Sequence, residues 1–308
     1  MKKIILATVG VALVAVFATA LALAQPSATT TTAQTARTAK ADATTLLPPL
    51  PAEVKARKRW NIAVKCDSPP FGYIDVQGKH AGVDIEIAKW FSRFAFGKAN
   101  RVDFTCITTP GREPALTTGR VDLVIATFTY TADRDTRIDF SRAYYKATGR
   151  LLVRNDSPIR STADLSGKTV ATTSGSIYDR WVKNCFTSTK LLVTDSFTNA
   201  LIAFKDGRAD TLMWDDTVLL GLAVADPNLK LTDDLFLPLP YGIGMKQGND
   251  AMKRWVDTRL NIMTKRDAFY PILKANVPPK LLSVFAKNIL RPKQVFYYTK
   301  GDLTTKCN

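Results

Sequence analysis

The spacing of apolar and polar residues along the chain predicts short strands that alternate with helices. Residues 61–65 and 102–107 are short apolar runs, which are typical of buried strands. Between them, residues 84–96 carry apolar side chains at helical spacing. A short helix over 113–118 and a third strand over 121–126 follow. This alternation predicts an α/β fold with a largely parallel sheet flanked by helices.

The same order of elements returns later in the chain. The pattern predicts strands over 168–172, 190–193 and 209–214, with helices over 176–184 and 198–205 between them. The repetition indicates a second lobe that is built around the same kind of sheet.

A short match between the two halves supports this division. At both Gly119 and Gly207, a predicted helix ends at a glycine cap. In each case Arg, one variable residue and Asp follow the glycine. Thr127 and Asp215 follow the two glycines at the same distance, and each lies at the carboxyl end of an apolar strand. In open α/β sheets this edge faces the ligand crevice. The match therefore predicts a ligand cleft between two facing sheet edges.

The amino-terminal part of the chain is predicted to direct export. Lys2 and Lys3 precede an uncharged apolar run that ends at Ala24, which gives a signal peptide over residues 1–24. The same run is long enough to remain as an uncleaved membrane anchor, and either outcome places the rest of the chain outside the cytoplasm. Residues 25–52 are rich in Thr and Ala and are predicted to form a disordered linker.

Charge and histidine content exclude several classes of function. The formal net charge is +16, but the basic residues are scattered and form no polybasic or aromatic-interleaved motif, so nucleic-acid binding is not expected. The one histidine, His80, lies in a polar turn that is poorly suited to a catalytic base. Without a Cys-x-x-Cys spacing, neither a metal site nor another cofactor is expected.

Three polar groups lie at the predicted cleft edges. Thr127 and Thr129 supply hydroxyls after a strand, and Arg134 follows them with a fork that suits a carboxylate. Residues 172–177 read as a strand, a glycine turn and a helix start, where backbone amides attract anions. Asp215 offers a carboxylate that suits an ammonium group. Each group alone also fits an ordinary turn or cap, but together they are complementary to a zwitterion.

Seven stretches of the chain, between residue 55 and about residue 290, form a recognisable series. They are Ser68–Asp75, Gly82–Ala88, Arg112–Leu116, Gly119–Ala126, Arg134–Tyr145, Asp164–Val170 and Tyr241–Gly244. In this order they resemble the family-3 bacterial extracellular solute-binding proteins, which serve polar amino-acid ABC importers. The resemblance implies the type II periplasmic binding protein-like fold.

This resemblance implies an arrangement of the lobes. Lobe 1 would comprise residues 53–146 and 243–290, and lobe 2 with the hinges would comprise residues 147–242. Two crossing strands, near 145–149 and 239–242, would let the lobes close around a ligand.

The four cysteines predict two disulfide bonds, since the count is even and the chain is exported. Cys66 and Cys106 lie at similar depths on strands that would be neighbours, so we expect them to pair. The second pair would then be Cys185 with Cys307, which lies in the tail formed by residues 291–308. Such a bond would require the tail to reach the second lobe, where it would limit opening.

The resemblance also implies roles for the residues at the cleft. Arg134 would hold the ligand α-carboxylate, assisted by Thr129 and by backbone amides near Ser176. Asp215 would hold the α-ammonium group, helped by Thr127.

Three further residues bear on the ligand side chain. Phe71 lies in the stretch that would line the apolar part of the pocket. Lys65 and Arg112 follow the first two strands, at positions where the glutamate- and aspartate-binding branch has basic residues. The resemblance therefore implies an acidic amino acid. In the alternative, Asp67 or Glu113 pairs with these cations and leaves a neutral pocket for glutamine or another polar amino acid.

We therefore expect a periplasmic, monomeric binding protein that captures an amino acid and delivers it to an inner-membrane ABC permease. The rival class is an enzyme, because exported cyclohexadienyl dehydratases, which act on prephenate or arogenate, resemble the same family. Such an enzyme needs a general acid over the cleft. Glu113 is the one nearby candidate, and it follows Arg112 in a predicted helix.

Overall fold

In the computed structural model of the protein, residues 47–307 are described, and they form two main β-sheets flanked by helices. The expected signal peptide (residues 1–24) and the linker up to residue 46 lie outside this range. The folded part begins a little before the predicted linker end at residue 52, because Leu50 packs on the core and Ala52 begins a helix. Within the described range, no helix is both long and apolar enough to cross a membrane.

Strands and helices alternate where the residue pattern predicts it, and further strands and helices that the pattern did not indicate lie between and after them. In chain order the strands are β1 (Trp60–Val64), β2 (Asp67–Ser68), β3 (Gly72–Ile74), β4 (His80–Ala81), β5 (Val102–Cys106), β6 (Leu123–Ile125), β7 (Ile138–Phe140), β8 (Tyr145–Arg154), β9 (Thr169–Thr173), β10 (Lys190–Thr194), β11 (Thr211–Asp215), β12 (Leu229–Leu231), β13 (Phe236–Tyr241) and β14 (Gly244–Lys246). The helices are α1 (Ala52–Arg57), α2 (Val83–Phe96), α3 (Arg112–Thr117), α4 (Ile177–Cys185), α5 (Phe197–Lys205), α6 (Asp216–Ala225), α7 (Asp250–Lys265), α8 (Phe269–Asn276) and α9 (Leu282–Ala286). Short 3₁₀ turns cover Arg134–Thr136, Thr162–Leu165, Pro279–Leu281 and Leu303–Thr305.

The first sheet has the strand order β5-β1-β6-β14-β7. β1 runs parallel to β5 and β6, whereas β14 runs antiparallel to β6 and β7. Trp60 of β1 packs between Phe91 of α2 and Trp255 of α7, with ring centroids 6.4 and 5.0 Å away. Helices thus cover the sheet, which explains why β1 is almost continuously apolar.

The second sheet has the order β10-β9-β11-β8-β12, and β13 also pairs with β8. β9 runs parallel to β10 and β11, while β8 runs antiparallel to β11. Phe197 of α5 packs on Trp214 of β11, and Trp181 of α4 packs on Phe236 of β13, at 5.3 and 5.1 Å between ring centroids. Each lobe therefore has its own sheet and its own helical cover.

The chain crosses between the two sheets at β8 and β13, near the positions predicted for the hinges. The two strands pair antiparallel, with Tyr145 opposite Tyr241. Their rings stack with centroids 5.6 Å apart, and Phe71 contacts both rings edge-on. The crossing is therefore packed with aromatic side chains from the first lobe and from both hinge strands.

Two disulfide bonds connect the four cysteines, in the pairs expected from the sequence. Cys66 and Cys106 join the carboxyl ends of β1 and β5 within the first lobe. Cys185 and Cys307 join the end of α4, in the second lobe, to the carboxyl-terminal tail.

Candidate functional site

Asp215 ends β11 and is held by two tyrosine hydroxyls. Tyr178 of α4 donates to Oδ1 at 2.6 Å, and Tyr241 of the hinge strand donates to Oδ2 at 2.5 Å. No lysine or arginine among residues 47–307 lies within salt-bridge distance of this carboxylate. Burial raises the pKa of Asp215 to about 6, although the two hydroxyls act in the opposite direction. Among the described residues, Asp215 is therefore a negative group without a cation in direct contact, although the charge of Arg112 acts on it.

The turn after β6 is fixed by a buried carboxylate that the sequence pattern did not single out. Thr127 has a positive φ of 43°, and its amide donates to Asp84 Oδ2 at 2.9 Å. The Tyr144 hydroxyl donates to the other oxygen of Asp84 at 2.7 Å. A positive φ is unfavourable for a β-branched residue, so the bond to Asp84 stabilises a strained turn. This turn directs the following residues into the cleft.

Arg134 begins a 3₁₀ turn and is almost fully buried. Its Nη1 donates to the Thr129 carbonyl at 2.7 Å, and its Nε donates to Glu113 Oε1 at 3.1 Å. Its Nη2 donates to the Gly175 carbonyl, in the second lobe, at 2.7 Å. The fork predicted for a ligand carboxylate therefore already has partners, and one of them lies across the cleft.

The two lobes touch beside Arg134. Gly175 has a φ of +71°, and a Cβ at this position would lie 2.9 Å from Pro110 Cα in the first lobe. An ion pair joins Arg180 of α4 to Asp133 of the first lobe at 2.6 Å. The cleft is thus closed in this structure, and only glycine fits at position 175 without displacing the opposite backbone.

Arg112 begins α3 and donates to backbone carbonyls. Its Nε contacts the carbonyl of Thr109 at 3.0 Å, and its Nη1 contacts those of Ala126 and Thr127 at 3.2 Å each. Burial, together with the positive charge of Arg134, lowers the pKa of Arg112 to about 9. Arg112 therefore braces the turn after β6 while it keeps a buried positive charge.

Lys65 is paired within the first lobe. Its Nζ lies 2.9 Å from Asp67 Oδ1 and 3.3 Å from Thr109 Oγ1, and only 1 % of the residue is exposed. Burial lowers its pKa, whereas the charge of Asp67 raises it. This is the internal pairing that the sequence left open as an alternative. Glu113, the other candidate partner, contacts Arg134 rather than Arg112.

Ser176 caps the start of α4. Its Oγ accepts from the Asp179 amide at 3.2 Å, and its own amide donates to the Thr173 carbonyl at 3.1 Å. The amide of Ser176 itself is therefore occupied. An anion at this helix start would have to use the amides of the first helical turn instead.

Phe71 lies beneath the site, in the aromatic packing of the hinge. It is fully buried, and its ring lies 5.4 Å from the ring of Tyr241. Because Tyr241 holds Asp215, Phe71 supports the position of that carboxylate.

The structure brings the predicted charged residues together. The charges of Arg112 and Asp215 both act on Lys65, and those of Arg134 and Asp215 both act on Arg112. The cluster contains three cations and three carboxylates: Lys65, Arg112 and Arg134, with Asp67, Glu113 and Asp215. It is therefore formally neutral before a ligand enters, and a zwitterion would leave it neutral.

Two cavities are lined by residues of both lobes. A cavity of about 130 Å³ lies beside Arg134 and Ser176, and tail residues Asp302 and Thr304 form part of its wall. A larger cavity of about 400 Å³ also lies between the lobes. Pro70 lines it, together with mainly apolar groups such as Phe197, Val218 and Leu281. The smaller cavity is lined by Arg134 and by other charged side chains of both signs, and Asp215 lies outside its lining.

One group in the described part of the chain has the side chains of a metal site. Cys66, His80 and Cys106 lie with their ligand atoms within 4.8 Å of one another. The two sulfurs are bonded to each other, so they are not thiolates that could coordinate a cation.

The sequence matches a family of known proteins. The model of the bacterial extracellular solute-binding proteins, family 3, matches residues 60–276. The chain belongs to this family. Among relatives, a glutamine-binding protein of Geobacillus stearothermophilus is 36 % identical over 194 residues, which cover 62 % of this chain and 74 % of the relative. The ABC transporter glutamine-binding protein GlnH of Bacillus subtilis (strain 168) is 32 % identical over 221 residues, which cover 71 % and 81 %.

Solved structures agree with the family. The cysteine-binding protein of Campylobacter jejuni superposes with a TM-score of 0.71 at 29 % identity, covering 73 % of this chain and 91 % of that one. The type II periplasmic binding protein fold predicted from the resemblance is therefore confirmed. The chain is a solute-binding protein, as its family and these relatives are, and not an enzyme.

Proposed function

We propose that the protein binds a neutral polar amino acid outside the cytoplasm, with glutamine as the first candidate, and delivers it to an inner-membrane ABC permease. The observation that carries the proposal is the pair of opposite charges at the closed cleft, Arg134 and Asp215, beside a lysine that has its own carboxylate. The relatives named as glutamine-binding proteins support the same assignment.

The two ends of the amino acid have matching groups. Asp215 offers a buried carboxylate whose bonds come from two tyrosine hydroxyls, so a ligand ammonium would supply its missing positive partner. Arg134 would bind the α-carboxylate, with amides of the first turn of α4 on the opposite side. To do so, Arg134 would exchange part of its present bonding to Glu113 or to the Gly175 carbonyl.

The side-chain end of the pocket favours a ligand without net charge. Lys65 is neutralised by Asp67 at 2.9 Å, so it does not need a ligand carboxylate. Glutamine would add hydrogen-bonding groups to a neutral cluster, whereas glutamate would add one uncompensated negative charge in a buried place.

Glutamate is the second candidate, as the resemblance implied. The observation in its favour is Arg112, whose positive charge is buried and whose hydrogen bonds in the described chain go to carbonyl oxygens. A ligand carboxylate near Arg112 would gain a charge-assisted hydrogen bond. The choice therefore depends on whether Asp67 removes enough of the positive charge around Lys65 and Arg112.

Competition calorimetry at fixed ionic strength tests the choice. We expect glutamine to bind more tightly than glutamate, aspartate and lysine. Asp67→Asn should shift the preference toward glutamate, because it frees the charge of Lys65, whereas Asp75→Asn, an aspartate in a surface turn, should not. Tighter binding of glutamate by the unmodified protein would instead establish the second candidate.

Export and monomeric state belong to the same proposal. The protein recovered from the cell envelope should begin after Ala24 if the signal peptide is cleaved, and amino-terminal sequencing checks this. Light scattering should give the mass of one chain.

A further inference from the structure

The carboxyl-terminal tail contacts both lobes, first at Tyr298. The Tyr298 ring stacks on Tyr130 of the first lobe, with centroids 4.0 Å apart and planes at 10°. Its hydroxyl donates to the Ser141 carbonyl at 2.5 Å. A Cβ on Gly242 would lie 2.0 Å from this hydroxyl, so the glycine at the end of the hinge strand leaves the space that Tyr298 occupies. Tyr298 is thus anchored on the first lobe, next to the hinge.

The end of the tail is anchored on the second lobe. Cys307 is bonded to Cys185 at the end of α4. Along the same helix, Trp181 Nε1 donates to the Lys306 carbonyl at 3.0 Å, and Asn184 Nδ2 donates to the Thr304 carbonyl at 3.1 Å. The covalent bond and these hydrogen bonds fix residues 304–307 to α4.

Between the anchors, the tail passes the place where the lobes touch. Asp302 pairs with Arg180 at 3.2 Å, Arg180 pairs with Asp133 at 2.6 Å, and Asp133 pairs with Arg137 at 2.9 Å. Hydrogen bonds from Arg137 and then Arg180 lower the pKa of Asp133 to about 2. Asp133 is therefore ionised at neutral pH, and its ion pairs with both arginines persist. Asp302 also lines the cavity beside Arg134.

We propose that residues 298–307 form a strap that limits how far the two lobes open and so slows exchange of the bound solute. Opening moves α4 away from the first lobe. It must therefore extend the strap or break the contacts of Tyr298 with Tyr130 and Ser141. Only residues 299–303 lie between the two anchors, and each residue can span at most about 3.3–3.6 Å, so this short segment limits the distance between Tyr298 and α4.

The strap differs from a tail that only adds stability, because it requires both anchors. Release of either end should free the lobes completely, so releasing both should add nothing. Two independent stabilising contacts would instead give effects that add. The strap itself does not depend on the identity of the solute, and only its kinetic consequence rests on the proposed function.

The test compares three full-length variants with the unmodified protein. C185S/C307S releases the second-lobe anchor, Tyr298→Ala releases the first-lobe anchor, and an insertion of six Gly/Ser residues between Lys300 and Gly301 lengthens the strap with both anchors intact. X-ray scattering and an inter-lobe fluorescence distance measure opening without ligand. Stopped-flow measures dissociation of glutamine.

We expect each variant to widen the ligand-free lobes to the same extent, and to raise the dissociation rate about tenfold. The combined variant C185S/C307S/Y298A should open no further. C66S/C106S is the matched control, because that disulfide lies within one lobe, and it should leave the inter-lobe distance unchanged.

An unchanged inter-lobe distance in the insertion variant would overturn the proposal, and so would a combined variant whose opening is the sum of the single effects. The insertion removes no side chain, so it decides the question even if a cysteine variant does not fold. If the lobes widen as expected but no amino acid binds, the strap stands and the proposed function fails.

Discussion

Arg134 and Asp215, the two charged ends of the site, are held in different ways. Arg134 bonds to a carboxylate and to two carbonyls, one of them across the cleft. Asp215 bonds to two neutral hydroxyls, and no cation of the described residues lies within salt-bridge distance of it, although the charge of Arg112 acts on it. The positive end therefore has a carboxylate in direct contact before a ligand arrives, while the negative end has no cation in direct contact.

This difference assigns unequal tasks to the two ends. Arg134 connects the lobes and must exchange partners when a carboxylate binds, so its contribution includes closure as well as charge. Asp215 is preorganised, and a ligand ammonium gains its attraction without displacing an internal cation. Each prediction below changes one end and leaves the other intact.

Arg134→Ala should have the largest effect, a loss of about 2–5 kcal/mol in the free energy of amino-acid binding. The change removes the fork for the α-carboxylate and the bond to Gly175. Calorimetry measures the loss. Arg137→Ala is the control, because Arg137 shares Glu113 but its side chain is 45 % exposed. If Arg134→Ala bound within about threefold of the unmodified protein, the carboxylate would have to lie elsewhere.

Asp215→Asn should weaken amino-acid binding by about 1.5–3 kcal/mol, since it removes the charge but keeps the shape. A carboxylate ligand without the amine should lose much less. The adjacent Asp216 is the matched control, because its carboxylate accepts from the amides of Thr148 and Thr217 rather than from tyrosines. Equal losses for ligands with and without the amine would show that Asp215 shapes the pocket and does not contact the ammonium.

Both of these residues could be predicted because their signals are local. Asp215 ends an apolar strand, and Arg134 follows a strand with hydroxyl residues after it. Parallel strands present their carboxyl ends at one edge, so position along the chain indicates position in the cleft. The six strands that the apolar pattern indicated, β1, β5, β6, β9, β10 and β11, were predicted to within one or two residues for the same reason, since apolar runs have clear ends.

The partners of these residues could not be predicted, because no spacing rule joins them. Tyr178 and Tyr241 meet at Asp215 from a helix and a hinge strand, and the tertiary fold alone brings them together. Asp84 lies in a stretch that matches the family, yet nothing in that stretch indicates its bond to Thr127. The strand pattern also does not predict β2, β3, β4, β7, β12 or β14, since two or three residues are too few to show a period.

Affinity should fall about tenfold when the pH falls from 7 to 5, through protonation of Asp215. Its pKa of about 6 means that the carboxylate is mostly ionised at pH 7 and mostly neutral at pH 5. An ammonium ligand favours the ionised form, so binding below pH 6 must release a proton. Calorimetry in buffers of different ionisation enthalpy detects this proton.

A second buried carboxylate titrates in the same range and needs its own control. Burial also raises the pKa of Asp84 to about 6, but its oxygens accept from an amide and a hydroxyl inside the first lobe. Asp84→Asn should therefore keep the pH profile, whereas Asp215→Asn should flatten it. The reverse result would assign the profile to the turn at Thr127 rather than to the ammonium site.

Glu113→Gln should have the smallest effect and the opposite sign. Glu113 shares its carboxylate between Arg134 and Arg137, and a ligand carboxylate at Arg134 would be a second negative group on the same guanidinium. Removing the charge of Glu113 while keeping its shape should tighten binding by about 0.3–1 kcal/mol. Glu86→Gln, a glutamate paired with Lys89 on α2, should leave affinity unchanged.

The direction of the Glu113→Gln effect decides what limits the positive end of the site. Tighter binding means that Glu113 competes with the ligand, because Glu113 partly neutralises the charge of Arg134 before the ligand binds. Weaker binding would mean that Glu113 orients the guanidinium, so that Arg134, like Asp215, is a preorganised group. In that case the difference between the two ends would lie in their geometry and not in their charge balance.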